Sequence, residues 1–214
     1  MPAFGIDEVP DVQVDVGLGD EMDGEVVDGL ETELQGHGKA IRRLVRRLNA
    51  VSNTGSSKLD PEDYSDIVSH HLHRLLAYAP LLSSDRLTNW LDNLVHLVLV
   101  AIMTTLMPEY GHNQARYDLL ASLLRIAICR LAMDEADGNA EVLLWAIFVG
   151  YVTVLARKED EVWLARLARD ICVRLNVKEW KYVREVLCEY GWICVMYDEP
   201  GKKLWGQISS ATNK

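Results

Sequence analysis

The first 38 residues hold no lysine and no arginine. The chain has no Cys-x-x-Cys pair, no Asn-x-Ser/Thr sequon, no Gly-rich phosphate loop and no His-Glu-x-x-His. Each absence removes a class. The start "MPAFGIDEVPD" has neither the basic n-region of a secretory signal nor the arginines of a mitochondrial transit peptide. The four cysteines lack zinc-ligand spacing, and three of them (Cys129, Cys172 and Cys194) sit in apolar stretches, so they read as reduced core thiols. No apolar run reaches the about 20 residues of a spanning helix. "LLWAIFVGYVTVLA" (143–156) stops at Arg157-Lys158-Glu159-Asp160, and "LVHLVLVAIMTTLM" (94–107) carries His96 and two threonines. Both read as helices buried on most sides, with no membrane as partner.

What is present is unevenly distributed. Eleven acids fall between Asp7 and Glu33, and the other 21 acids of the chain face all 22 of its bases. The net charge of −10 is therefore that of a near-neutral body with an acidic head. Ordering the head would cost about 1–2 kcal/mol per residue. Its few bulky apolar side chains return at most about 1.5–3 kcal/mol each, so residues 1–38 are expected to be a disordered acidic tail. Within it "DVQVDVGLG" alternates apolar and polar residues. That pattern fits an edge strand, an activation-type segment or, first of the three, a solvated tail.

Residues 39–58 read as a basic amphipathic helix and linker. "KAIRRLVRRLNAV" places Ile41, Leu44, Val45, Leu48 and Val51 on one face, and Lys39, Arg42, Arg43, Arg46 and Arg47 on the other. A helix packed by its apolar stripe, with its arginines in water, is the favoured reading. Nucleic-acid binding, a membrane surface or a nuclear import patch are the alternatives.

Residues 59–214 read as an all-helical body, making the chain an all-α, multi-helix globular domain behind its tail. Asp60 is placed as an N-cap with Pro61 at the first helical position. Helices are expected near 61–79, 85–107, 113–134, 139–157, 160–175, 179–190 and 200–210. The breaks between them fall at Pro80, Pro108–His112, "DEADGN" and "YDEPG". In 161–175, Leu164, Leu167, Ala168, Ile171 and Leu175 share a face opposite Arg166, Arg169, Asp170 and Arg174.

Chemistry-bearing constellations are few. His70, His71 and His73 cluster in "SHHLHRL", where His70 and His73 could share a metal, but no accompanying carboxylate or histidine stands at matching spacing. Asp92 and His96, four apart in an apolar helix, are the only catalytic candidates. A carboxylate that orients an imidazole makes a general base, and the same pair equally satisfies a buried histidine. Tyr110 and His112 stand where they could join that pair. The six tryptophans (Trp90, Trp145, Trp163, Trp180, Trp192 and Trp205) read as core packing before a ligand pocket. No metal or other cofactor is implied.

Three stretches in order carry a family likeness: "EVLLWAIFVGYVTV" (141–154), "VWLARLARDICVRLNVKEWKYVREVL" (162–187) and "DEPGKKLW" (198–205). With Trp180, Val183, Arg184 and Leu187 in the second, and Asp198, Pro200, Gly201, Leu204 and Trp205 in the third, the chain resembles the regulatory domain of fungal zinc-cluster transcription factors. The likeness is good over 141–208 and weaker over 60–140. It implies a helical domain in which 143–156 is the central helix, Trp145 packs in the core and Gly150 lets another helix approach. The family's six-cysteine zinc cluster has no counterpart here, so the resemblance carries no DNA binding. It implies a regulatory protein, nuclear or cytoplasmic, acting through a protein partner or a second copy of itself, with a small-molecule ligand as a further option. The rival expectation is a pocket protein or enzyme of fungal secondary metabolism, doing acid/base chemistry with Asp92 and His96.

Overall fold

The computed structural model describes residues 27, 29–54, 60–83, 87–107, 117–133 and 137–210, and all regular structure among them is helical. The α-helices are α1 (Thr32–Thr54), α2 (Pro61–Tyr78), α3 (Trp90–Leu106), α4 (Asp118–Ala132), α5 (Ala140–Val152), α6 (Lys158–Arg174), α7 (Trp180–Tyr190) and α8 (Cys194–Ser210). A single 3-10 turn, Asp137–Asn139, leads into α5. No described helix is long and apolar enough to cross a membrane.

Two helices form the centre. Every residue of α3 from Asp92 to Leu106 is buried, as is α5 at Ala140 and from Val142 to Tyr151. They pack against each other; α1, α2 and α4 surround α3, and α4, α6, α7 and α8 surround α5. A helix apolar all round has to be covered all round, and the 143–156 run is so covered. Trp145 is fully buried and donates its indole N–H to the Gly191 carbonyl at 3.2 Å. A Cβ on Gly150 would stand 3.0 Å from Leu155 Cδ1 and 3.3 Å from Leu124 Cδ2, so the bare backbone there lets α4 and the returning chain close in.

The sequence places the start of α2 correctly. Asp60 caps α2, its carboxylate accepting from the Glu62 N–H at 2.9 Å with Pro61 at the first position. Helix α3, expected from about residue 85, begins instead at Trp90, where Asn89 caps it by accepting the Leu91 N–H at 2.9 Å. Helix α6 buries Leu164, Ala168 and Ile171 while Arg166, Asp170 and Arg174 remain exposed, as its periodicity requires.

Four further expectations are corrected. The basic helix begins at Thr32, seven residues before Lys39, and Leu34 in its first turn is fully buried, so residues 32–38 belong to the body. The rest of the acidic head falls outside the described residues, apart from Val27 and residues 29–31. Arg42 is buried and not solvated, with Nη1 donating to the Glu189 carbonyl at 3.0 Å. Helix α5 ends at Val152 and not at 157. The Thr153 hydroxyl donates to the Val149 carbonyl at 2.7 Å, and the Leu155 N–H returns to the Gly150 carbonyl at 2.7 Å. Finally, "YDEPG" does not break the chain: α8 runs unbroken from Cys194 to Ser210 with Pro200 inside it. Pro200 withholds its amide from Met196, which lies on the exposed side, where water can take the place of that bond.

The tryptophans divide. Trp145 and Trp192 are fully buried, Trp163, Trp180 and Trp205 are half-buried against the core, and Trp90 is exposed. The cysteines divide as well: Cys172 is buried, Cys188 and Cys194 are half-buried, and Cys129 is exposed, contrary to its apolar surroundings in sequence.

Candidate functional site

Asp92 and His96 lie in the first two turns of α3, where they meet α2 and the approach to α1. His96 is wholly buried, and its Nε2 stands 2.9 Å from the Leu75 carbonyl in the last turn of α2. Since the carbonyl only accepts, the Nε2 proton is the one donated. The Leu75 oxygen also takes the Ala79 N–H at 3.1 Å, so the imidazole helps to satisfy the end of α2. Asp92, also buried, accepts the Glu31 N–H at 3.3 Å just ahead of α1. Burial pushes its carboxyl above the ordinary range; the Glu31 N–H pulls it back in part, and the Glu31 charge adds to the rise.

Three groups not foreseen from the sequence join this junction. Tyr78, at the end of α2, donates its hydroxyl to the Glu31 carboxylate, and its ring lies 6.0 Å from that of His96 and 5.8 Å from that of His37. Burial first, then the bond to Glu31 and the nearby acids, raise the phenol well above its ordinary value. His37, in α1, is 4% exposed, and its Nε2 has no hydrogen-bond partner among the described residues. Glu33 Oε1 stands 3.9 Å from it. Burial and then Arg74 hold His37 below the usual imidazole value, while Glu33 opposes them. Glu33, His37, Arg74, Ala77 and Tyr78 border an open depression of about 380 Å³.

Chemically, the junction keeps protons in place. The phenol is held protonated at neutral pH, and His96, the proposed base, has no exposed surface from which to reach a substrate. Tyr110 and His112 lie outside the described residues. His70 and His71 meet edge to face at 5.7 Å, and among the described residues no three ligand-type side chains converge as a metal site. Helical spacing finds the Asp92–His96 pair, but it cannot find Glu31, 61 residues upstream of Asp92, or His37 in a helix placed seven residues too late.

The motif residues in the C-terminal half meet in space. Arg184 Nε donates to both oxygens of Asp198, at 3.1 and 3.0 Å, and the Trp192 indole N–H donates to Asp198 Oδ1 at 2.8 Å. Gly201, one turn on, lies against the Trp180 and Trp192 rings. These groups join α7 to α8 and account for their spacing by packing alone. No protein-family model, no curated protein and no solved structure matches the chain.

Proposed function

We propose that the chain is a regulatory association module of the kind it resembles, acting through protein contacts without a DNA reader of its own. The observation that carries this is the outer face of α4. Leu119, Ile126 and Met133 are 42%, 52% and 77% exposed at seven-residue spacing, a run of apolar side chains two turns apart along one helix. Trp90 extends the patch under the Arg130 guanidinium, 5.4 Å above its ring. Arg125, Ile126, Cys129, Arg130 and Met133 line a depression of about 460 Å³ there. An apolar stripe beside an arginine is the complement of an amphipathic helix with an acidic flank. The resemblance supplies the class of partner: a full-length zinc-cluster relative or a second copy, met in the nucleus or in the cytoplasm, with fungal secondary metabolism the setting it suggests.

Sedimentation at micromolar concentration, alone and mixed with such a relative, tests this. Association that Ile126→Glu with Met133→Glu abolishes is the expected result. A monomer in both mixtures, with salt-sensitive nanomolar binding to a DNA site, overturns it.

A second reading, a small-molecule sensor, rests on the buried Nε2 of His37 beside the α1–α2 depression. Native mass spectrometry of the purified chain checks it: a retained ligand that His37→Leu releases supports it, and ligand-free protein counts against it.

A further inference from the structure

The Sγ atoms of Cys188 and Cys194 stand 3.9 Å apart across the turn that joins α7 to α8. Both thiols are free and half-buried. The turn between them is anchored from α1 twice. Arg42 donates to the Glu189 carbonyl, while Asn49 donates to the Trp192 carbonyl at 2.8 Å and accepts the Cys194 N–H at 2.9 Å. The two sulfurs are thus held in proximity by the fold. The geometry points to a dithiol modification site: Cys188 and Cys194 close to an intramolecular disulfide by exchange with small disulfides of the glutathione type.

The two thiols have different roles. Cys194 is the first residue of α8. Cys188 sits in the last turn of α7. The Arg184 guanidinium acts electrostatically on both. Cys194 attacks first, because burial makes Cys188 the poorer nucleophile. Its thiolate displaces one thiolate from the small disulfide and becomes a mixed disulfide. Cys188 then attacks Cys194 Sγ and expels the second thiolate. Two protein protons end on the two released thiols, so one small disulfide is reduced as one protein disulfide forms.

Cys188 is a poor nucleophile beforehand. Burial, then the charge of Cys194, pushes its thiol up to about 12, with Arg184 pulling the other way. Capping Cys194 removes the second of those causes and leaves Arg184 in place, so the first step prepares the second. Closure brings the two sulfurs from 3.9 Å to the about 2.05 Å of a disulfide.

The test is equilibration of the folded full chain with excess oxidised glutathione, followed by alkylation and peptide mass spectrometry, with circular dichroism before and after. The exposed Cys129 serves as an internal positive control for the reagent. The expected result is a peptide pair linking Cys188 and Cys194, lighter by two hydrogens, with both sites lost to alkylation and restored by dithiothreitol. Cys188→Ser should leave a stable glutathione adduct on Cys194. The proposal is overturned if both thiols remain free while Cys129 is modified. It is equally overturned if adducts accumulate without closure, or if closure occurs only in urea.

Discussion

Gly201 lies against the indole of Trp192: a Cβ at that position would stand 2.9 Å from Trp192 Cζ2 and 2.9 Å from Trp180 Cη2. Two indoles fill the space where a side chain would be, and Trp192 is fully buried between Phe148, at 6.3 Å, and Tyr197, at 5.1 Å. Gly201→Ala should therefore destabilise the fold by about 1–3 kcal/mol through overpacking, despite alanine's better helix propensity. Gly206, in the same helix, has nothing within 4 Å of its Cβ position. There the same change should stabilise by about 0.5–1 kcal/mol. Opposite shifts in urea midpoint for the two variants check the packing, and equal shifts would refute it.

The two C-terminal tryptophans should differ as their burial does. Trp192→Ala removes a fully buried ring that also donates to Asp198, and should cost about 3–5 kcal/mol. Trp205 is only half-buried, and Trp205→Ala should cost about 1–2 kcal/mol. Chemical denaturation of the two variants side by side gives the ranking. A reversed order would mean that α8 docks by a different face.

Much of this fold is legible in the sequence because apolar periodicity, Asp60, Pro61 and Pro80 all point the same way. The failures share a cause, namely tertiary contacts that outweigh local signals. The basic helix is expected only from Lys39, yet Leu34 and Ile41 bury on one continuous helix that runs through Gly36 and Gly38. "DEPG" reads as a turn, yet Asp198 is held by Arg184 and Trp192, and Gly201 fits two rings, so the helix persists. The end of α5 is invisible because an unbroken apolar run has no period to lose. At the candidate site, the intrahelical pair Asp92–His96 is legible, whereas Glu31, His37 and Tyr78 arrive from other elements through long-range packing that spacing rules do not address.

A buried carboxylate gives the next test. Asp160 has a side chain 2% exposed and accepts two hydrogen bonds from Arg125 Nη2, at 2.7 and 2.8 Å, and one from the Trp163 indole at 3.0 Å. Asp160→Ala leaves Arg125 and Trp163 Nε1 without their acceptor. Arg125, 34% exposed, recovers part of its hydration. The expected loss is about 2–3 kcal/mol, read as a lower unfolding midpoint with an unchanged denaturant slope. A loss below about 0.5 kcal/mol would place Asp160 among surface pairs.

Acid should weaken the protein through His71. Burial first, then the charges of His70, Arg74 and His37, lowers its pKa from 6.5 to about 4. Between those values the unfolded chain binds a proton that the folded chain refuses, so stability rises with pH across this window and is lost as pH falls through it. His37, also held low, acts in the same sense. Asp92 acts in the opposite one: its raised pKa means the folded state gains a proton first on acidification, which adds stability there. Because the His71 ring is only partly buried, solvent reduces its full linkage to about 1–2 kcal/mol. Thermal midpoints measured from pH 7 down to pH 4.5 should fall for the unaltered chain and fall less for His71→Gln. Asp92→Asn should make the fall steeper. Parallel curves for all three chains would show that neither group titrates in the environment described.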